Sequence, residues 1–571
     1  MTILKRRFAI GVLAVLLVTA AYVFVFSGKD KLDPPDLTAA GESCTVIMVA
    51  KAASTDGSTM TTHTCDCGTC DWTWGHIPAA DHKPGSLRKI WHINQYTTWK
   101  EGTKWVVAPV KGDTGFSIPE VPHTYAYHHG MFGYMNENQV AISESTLGTV
   151  RKLVNNTPAA KIDLTMLSLL GMERSRTARE CIQIMGKLAE TYGYGFNDDG
   201  EFFAVSDPNE VWAFEIMPVG PLWTPETGKP GAVWCAQRVP DDHVTVCPNE
   251  SRIGEIDLNN KDFFLASPNV ISCAVENKLY DPASGKPFNW KRAYSPREGS
   301  ASSSGGRMAR LWRFYNIVAP SLKISPETPD MDFPFSVKPD KPISAADVMA
   351  ITRDKCYGTP FDPVKGIRGG QYLNPNYYGG TRKISVNNVE YTSLVQCRSG
   401  LPNDVGGIIW LSFGPQDTAV YMPLYAGITA MPKSFMVGDH FELNRASARW
   451  AFDYTDFHVQ VAYSEAIEDV KKAQTEYETT VIQKIPEIDK QAADLYAKSP
   501  AKAREFLTKF CLDNAQKVVA GWWELGDKIL VKYNHFGFYD SEKRTRGRGK
   551  AAPAIWQKAV KLADVLADME K

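Results

Sequence analysis

The sequence predicts a mixed α+β fold with a helical module at its C-terminal end. From Cys44 to about residue 445, short β-prone runs alternate with helical segments. Beyond about residue 450, apolar residues instead recur at helical spacing. The first 43 residues resemble neither part, because a long uncharged run is followed by a polar stretch that contains two prolines. We therefore divide the chain into residues 1–43, 44–445 and 446–571.

The first segment has the features of an export signal. Lys5, Arg6 and Arg7 precede an uncharged run of 19 residues, from Phe8 to Phe26. This run fits a cleaved signal peptide, and it is also long enough for an uncleaved membrane anchor. The polar residues 29–43 are typical of a linker or propeptide. We therefore expect the bulk of the chain outside the cytoplasm, in the periplasm, the cell envelope or the extracellular space.

The composition of the chain is that of an ordinary globular protein. The 571 residues carry a formal net charge of −1 and are 44% hydrophobic, so no strong field favours a nucleic-acid partner. The 11 cysteines suit disulfide formation in an oxidising compartment. Cys65, Cys67 and Cys70 form a cluster with a Cys-x-x-Cys motif, for which we favour structural disulfides over a redox or metal role or free thiols, and the sequence leaves the pairing open.

Periodicity and turn residues predict the individual elements. Strands are predicted at residues 45–50, 59–64, 139–143, 210–216, 232–239, 407–413 and 418–424. Helices are predicted at residues 178–192, 462–484, 501–533 and 551–569. A capping box at Ser344-Ala345-Ala346-Asp347 indicates the start of one more helix.

The first two strands bring candidate catalytic groups together. The turn residues Ser54-Thr55-Asp56-Gly57 separate them and predict an antiparallel hairpin. Counting outward from this turn places Cys44 opposite approximately residue 65. Asp66 should therefore lie beside Cys44, where its carboxylate can position a neighbouring amine or thiol and shift its pKa.

Cleavage between Ser43 and Cys44 would give one residue both a thiol and a free α-amine. These groups have ordinary pKa values of about 8.5 and about 8, so they exchange a proton readily near neutral pH. The thiolate would attack an amide carbonyl, and the amine would pass the proton to the leaving nitrogen. Before cleavage the nitrogen of Cys44 is an amide and cannot act as a base, so we expect the precursor to be inactive.

Ordered sequence blocks extend this hypothesis to a family. The pattern Cys-Thr-(five residues)-Lys-Ala-x-Ser-x-Asp-Gly-Ser-Thr-Met begins at Cys44, and further blocks follow at 133–137, 141–146, 206–212 and 236–241. The chain thereby resembles bacterial dipeptidases with an N-terminal cysteine nucleophile, the family of lactobacillal dipeptidase A. The resemblance implies a four-layer αββα sandwich of the N-terminal-nucleophile hydrolases, dipeptidase activity on small peptides, and no metal or other cofactor.

The resemblance also implies roles for single residues. Cys44 matches the nucleophile and Asp66 the aspartate beside it, while His63 stands where such hydrolases often carry arginine. The remaining candidates are Asn136 and Asn249 for the oxyanion hole, Glu144 for a substrate ammonium or a structural role, and Arg398 for a late active-site arginine.

Two other functions fit the same sequence. The first is an acylase or amidase that uses the same chemistry on non-peptide amides. The second is a non-catalytic, cysteine-rich envelope protein in which Cys44 forms a disulfide. The sequence leaves the oligomeric state open, and a homo-oligomer is compatible with it.

Overall fold

The computed structural model describes residues 43–569 except 69, 94–97, 102–103, 108–110, 155–158, 196–198, 298, 305, 378–380 and 549–551. The predicted export segment, including the run from Phe8 to Phe26, lies outside these residues. Within the described part, no helix combines the length and apolar character that crossing a bilayer requires. Residues 43–571 form one compact unit.

Twenty-two strands are assigned in the described part of the chain. They are β1 (Val46–Val49), β2 (Thr59–Thr64), β3 (Gly75–Ile77), β4 (Ala80–Asp81), β5 (Leu87–Ile93), β6 (Thr98–Glu101), β7 (Lys104–Val107), β8 (Lys111–Pro119), β9 (His123–Thr124), β10 (Tyr127–His129), β11 (Gly133–Asn136), β12 (Ala141–Leu147), β13 (Gly200–Ser206), β14 (Val211–Met217), β15 (Val233–Arg238), β16 (Val244–Cys247), β17 (Phe264–Ala266), β18 (Tyr391–Cys397), β19 (Gly407–Phe413), β20 (Met422–Tyr425), β21 (Gly537–Asp540) and β22 (Thr545–Arg548).

Twelve α-helices accompany them in the same described residues. They are α1 (Leu164–Arg174), α2 (Ala178–Tyr192), α3 (Ser272–Glu276), α4 (Trp290–Tyr294), α5 (Ala301–Ser304), α6 (Gly306–Val318), α7 (Ala345–Thr352), α8 (Asn403–Gly406), α9 (Ala448–Val461), α10 (Tyr463–Tyr496), α11 (Pro500–Tyr533) and α12 (Ala554–Met569).

Two large antiparallel sheets organise these elements. One has six strands in the order β16-β1-β2-β18-β19-β20, and the other has eight in the order β17-β15-β14-β13-β12-β11-β10-β3. The sheets touch where β2 meets β12 and β13. Alternation along β1 explains how both faces are buried: Val46 and Met48 share a core cluster with residues of the eight-stranded sheet, whereas Ile47 and Val49 pack into a different cluster.

Helices cover further parts of both sheets. Ile182 and Met185 of α2 share a core cluster with Phe203 of the eight-stranded sheet. On the six-stranded sheet, the ring of Phe452 in α9 lies 6.3 Å from that of Phe413. The fold is therefore mixed, with antiparallel sheets and packed helices, as the α+β prediction requires.

Several predicted elements are confirmed, and others need correction. The bounds of β2, β19 and α2 agree with the prediction, and Ser344 forms the predicted capping box with Asp347. Helix α10 was predicted to end at residue 484, but it continues through Pro486 to Tyr496. Burial of Ala492 shows that packing of this last part outweighs the proline.

The C-terminal helices begin with α9, an element that the sequence analysis did not predict. Cys511, Val518 and Trp522 of α11 belong to the same core cluster as the six-stranded sheet. The helices are therefore packed directly against the sheet, while the domain boundary between residues 445 and 446 stays a prediction.

Candidate active site

The predicted N-terminal hairpin sets the position of Cys44. In the β1–β2 pair, Met48 lies opposite Thr61 and Val49 opposite Met60, so the same register places Cys44 opposite residue 65. An isolated bridge joins Ser43 to Asp66 immediately beyond the hairpin. The predicted proximity of Asp66 to the Ser43–Cys44 bond is confirmed.

The thiol of Cys44 is free and buried, with 6% of the residue exposed. Its Sγ lies 3.7 Å from Oε2 of Glu144, and its backbone N–H donates a hydrogen bond of 3.1 Å to Oδ1 of Asn249. Burial raises the pKa of the Cys44 thiol well above its usual value, and the charges of Glu144 and Asp66 raise it further. With Cys44 still joined to Ser43, the thiol is therefore a weak nucleophile.

Within the described residues, only one of the two carboxyl oxygens of Asp66 has a hydrogen-bond partner. Oδ2 accepts a hydrogen bond of 3.0 Å from Thr64 and pairs with Arg382. Oδ1 is buried and has no hydrogen-bond partner within the described residues. Burial raises the pKa of Asp66 to about 6, against the opposing effect of Arg382 and Arg310.

Glu144 on β12 and His63 on β2 occupy the other side of the Cys44 thiol. Nδ1 of His63 lies 2.9 Å from the backbone oxygen of Glu144 and 3.6 Å from its Oε2. Burial lowers the pKa of His63 to about 4, so the ring is neutral near pH 7. Oε2 of Glu144 thus lies next to both the Cys44 thiol and the His63 ring.

Asn249 closes the site beside the backbone of Cys44. It adopts the left-handed conformation with φ of 65°, which asparagine tolerates better than most residues. Its Nδ2 donates to Ser145 Oγ and to the Thr146 carbonyl oxygen, each at 3.0 Å. The oxygen of the amide, rather than its N–H₂ group, therefore faces the nucleophile, and the oxyanion role of Asn249 stays a prediction.

Two arginines that the sequence analysis missed hold the backbone at the nucleophile. Arg310, which is fully buried on α6, donates 2.6 Å from Nη1 to the Cys44 carbonyl oxygen and 3.0 Å from Nη2 to Oδ1 of Asn249. Arg382 donates 2.8 Å from Nη2 to the Ser43 carbonyl oxygen. The carbonyl oxygens of Ser43 and Cys44 thus each accept a hydrogen bond from a guanidinium.

A local signal exists for only one of these arginines. Arg307, Arg310 and Arg313 recur every third residue along α6, which places them near one face of an otherwise apolar helix. Arg382 lies in an irregular segment, and no spacing in the sequence connects it with Cys44 or Asp66. Only the tertiary fold brings it to the site.

Asn136 does not join this cluster. Its Nδ2 donates to the backbone oxygens of Met172 and Ser175, and its Oδ1 accepts from the N–H groups of Asn138 and Val140. Val140 is four residues from Glu144, which corresponds to about 13 Å along a strand. The structure thus places Asn136 in a turn away from the thiol, because its amide satisfies that turn.

Arg398 is also separated from Cys44. It follows β18 at the end where Cys397 pairs with Thr59, whereas Thr64, near the nucleophile, pairs with Thr392 at the other end. Its guanidinium pairs with Asp489 and donates to the backbone oxygens of Gly406 and Val405. These contacts join α8 to α10, which corrects the predicted active-site position.

Cysteine pairing resolves two alternatives from the sequence. Cys67 and Cys70 form a disulfide with each other, a pairing that the sequence left open, whereas Cys65 of the same cluster is a free thiol. The described residues contain nine free cysteines, all of them buried, and Cys44 is one of them. The envelope-protein alternative required a disulfide at Cys44, so the structure disagrees with it.

Cys44, His63 and Glu144 thus form one buried cluster of a thiol, an imidazole and a carboxylate. The sequence model of peptidase family C69 matches residues 43–476. This match covers most of the chain and starts at the residue before the candidate nucleophile. The chain belongs to peptidase family C69 and is a cysteine-type peptidase.

Individual relatives support the same assignment. A probable dipeptidase of Latilactobacillus sakei is 25% identical over 477 residues, covering 82% of this chain and 92% of the relative. A probable dipeptidase of Salmonella dublin is 25% identical over 392 residues, 68% of this chain and 81% of the relative. Dipeptidase A of Lactobacillus helveticus is 23% identical over 416 residues, 70% of this chain and 79% of the relative.

Proposed function

We propose that this protein is an exported dipeptidase that hydrolyses dipeptides through the thiol of Cys44. The observation that carries the proposal is the position of the Glu144 carboxylate, 3.7 Å from the thiol, in a chain of a cysteine peptidase family. The relatives that this chain matches over most of their length are named dipeptidase or probable dipeptidase. We extend that activity to this chain.

The position of Glu144 fits a substrate with a free N-terminal amine. In a dipeptide the α-ammonium lies about 2.5 Å from the carbonyl carbon that the thiol attacks, two covalent bonds away. A carboxylate so close to Sγ can therefore bind that ammonium while the carbonyl meets the thiol. A neutral acyl group offers Glu144 no such partner, which favours a dipeptidase over an acylase.

Removal of residues 1–43 creates the catalyst in this proposal. The freed α-amine of Cys44 takes the thiol proton, and the thiolate attacks the scissile carbonyl carbon. Collapse of the tetrahedral intermediate breaks the C–N bond, and the amine passes its proton to the leaving nitrogen. Water then hydrolyses the thioester and regenerates the thiol. The buried Oδ1 of Asp66 is available to hold the α-ammonium.

The intact chain has groups suited to cleaving itself at Ser43. The Cys44 thiol would attack the Ser43 carbonyl carbon, and Glu144 would accept the thiol proton. Arg382, at 2.8 Å from the Ser43 oxygen, would stabilise the charge that develops there. The C–N bond breaks, the nitrogen of Cys44 takes up the proton, and water hydrolyses the resulting thioester.

The packing supports the finer fold that the resemblance implies. Contacts of β2 with β12 and β13 join the two sheets, α2 packs on the eight-stranded sheet, and α9 packs on the six-stranded sheet. We propose that these are the four αββα layers of an N-terminal-nucleophile hydrolase.

One experiment on purified protein tests the proposed function. Mass analysis of the mature chain should give an N-terminus at Cys44, and that material should hydrolyse free dipeptides. Cys44→Ala should abolish hydrolysis, while Cys181→Ala, which removes another buried thiol, should retain it. Full dipeptide hydrolysis by Cys44→Ala would overturn the proposal, and hydrolysis of acyl-amino acids alone would favour the acylase.

A further inference from the structure

The candidate nucleophile is also one of three grouped metal ligands. Cys44, His63 and Glu144 each present one ligand atom, and these atoms all lie within 4.8 Å of one another. All three residues are at least 94% buried. The cluster lies between β2 and β12, so two strands of different sheets hold it.

The measured separations approach those of a tetrahedral zinc site. Zinc binds sulfur at about 2.3 Å and nitrogen or oxygen at about 2.1 Å, so neighbouring ligand atoms lie roughly 3.4 to 3.6 Å apart. Here Sγ of Cys44 is 3.7 Å from Oε2 of Glu144, and one ligand atom of each of the three residues lies within 4.8 Å of the other two. Small side-chain shifts would bring the three ligand atoms onto the cation, and a water molecule would be the fourth ligand.

Charge favours a divalent cation at this position. A thiolate at Cys44 and a carboxylate at Glu144 would be two buried anions in contact, which is costly without a cation. A dication bound to both groups would leave the cluster without net charge.

His63 supplies a third ligand of the right type. A carbonyl oxygen can only accept, so the contact with Glu144 assigns the ring proton to Nδ1 and leaves the lone pair on Nε2. Nε2 is buried without a hydrogen-bond partner in the described part of the chain, and Nδ1 contacts the Glu144 carbonyl oxygen. Thiolate and imidazole together select zinc-like cations over magnesium or calcium.

We propose that Cys44, His63 and Glu144 form a binding site for Zn²⁺ or a similar borderline-soft cation, and that this cation reversibly inhibits the enzyme. Binding replaces the thiol proton with a Zn–S bond and releases that proton. The cation is an inhibitor and not a cofactor, because it occupies the lone pair that would attack the substrate. The inhibition rests on the proposed function, but the binding does not.

Metal content of the full-length protein tests the site without reference to activity. Chelator-treated protein is equilibrated with Zn²⁺ at buffered free concentrations, and bound zinc per chain is measured by elemental analysis. Cys44→Ala should bind one zinc fewer than the parent, whereas Cys181→Ala should match the parent. His63→Asn keeps an amide near Nδ1 but lacks the imidazole, and should bind at least about 100-fold more weakly.

Two results would overturn the site: equal zinc content in Cys44→Ala and the parent, or unchanged affinity in His63→Asn. The consequence for catalysis is measured separately, as dipeptide hydrolysis that zinc suppresses and a chelator restores. Zinc binding without any hydrolytic activity would refute the proposed function and leave the site intact. Hydrolysis that saturating zinc leaves unchanged would refute the inhibition.

Discussion

Arg382 donates a hydrogen bond of 2.8 Å to the carbonyl oxygen of Ser43, and the same guanidinium pairs with Asp66. The last residue of the proposed propeptide is thereby joined to the carboxylate that is expected to hold the freed amine. A donor on this oxygen polarises the C=O group and would activate the Ser43 carbonyl carbon for attack in the proposed self-cleavage.

The first prediction concerns this contact. Arg382→Met should slow removal of residues 1–43 by about 100-fold, because loss of one oxyanion donor typically costs two to three orders of magnitude in rate. Mass spectrometry over time should show accumulation of chains that retain Ser43. Arg313→Met removes an arginine that pairs with Asp354 instead, and it should process normally. Equal processing rates in the two variants would contradict the role of Arg382.

The second prediction concerns pH. Burial raises the pKa of Asp66 to about 6, so its carboxylate is ionised above that pH and protonated below it. Since only the ionised form holds the α-ammonium, kcat/KM should fall about tenfold per unit as the pH drops below about 6. This limb should appear in pH–rate profiles of the processed enzyme with a dipeptide substrate.

A matched pair of variants tests whether Asp66 causes the fall in kcat/KM below about pH 6. Asp66→Asn should lower activity and remove the limb near pH 6. Asp456 also has a pKa raised to about 6 by burial, but it contacts Thr418 and Gln460 outside the site. Asp456→Asn should therefore show the same fall in kcat/KM below about pH 6 as the parent. If Asp66→Asn also shows this fall, another group causes it.

Local sequence rules predicted the hairpin that forms the site. Turn residues fix the centre of an antiparallel pair, and counting then sets the register, so Asp66 was placed correctly beside Cys44. The same reasoning located α2 and β19, whose periodicity is strong over their full length.

The rest of the site depends on contacts between distant segments. Arg310 and Arg382 reach Cys44 and Ser43 from more than 260 residues away. The arginine spacing in α6 singles out Arg310, but no local pattern shows which distant residues either arginine contacts. Asn136 is a candidate because it lies in a block that resembles a family, and Arg398 because it resembles a late active-site arginine of that family. The amide of Asn136 instead satisfies a turn, and the guanidinium of Arg398 pairs with Asp489. Sequence order alone does not distinguish these structural positions from active-site positions.

The third prediction separates stability from catalysis at Arg398. Arg398→Ala leaves Asp489 buried without its partner, so the free energy of unfolding should fall by about 3–5 kcal/mol. Denaturant unfolding measures this loss, and KM of the folded fraction should stay unchanged. Lys509→Ala breaks an exposed ion pair and should cost less than about 1 kcal/mol. A higher KM with an unchanged free energy of unfolding would indicate instead that Arg398 acts in the active site.

The fourth prediction tests substrate recognition by Glu144. In protein already processed to Cys44, Glu144→Gln removes the negative charge but keeps the backbone oxygen that contacts His63. A charge-assisted hydrogen bond to the substrate ammonium is worth about 1.5–3 kcal/mol, so kcat/KM for a free dipeptide should fall by about 10- to 100-fold. The same dipeptide with an acetylated amine carries no charge there, and its slow hydrolysis should not fall further. The ratio of kcat/KM for the free dipeptide to that for the acetylated dipeptide should therefore decrease.

The control for this prediction is another buried carboxylate. Glu173 is 4% exposed and pairs with Arg88 outside the site, so Glu173→Gln should leave the ratio between free and acetylated substrates as it is in the parent. If Glu144→Gln also leaves that ratio unchanged, Glu144 does not bind the ammonium. Its charge would then act only on the thiol of Cys44, and loss of that charge should lower the thiol pKa and speed alkylation of Cys44.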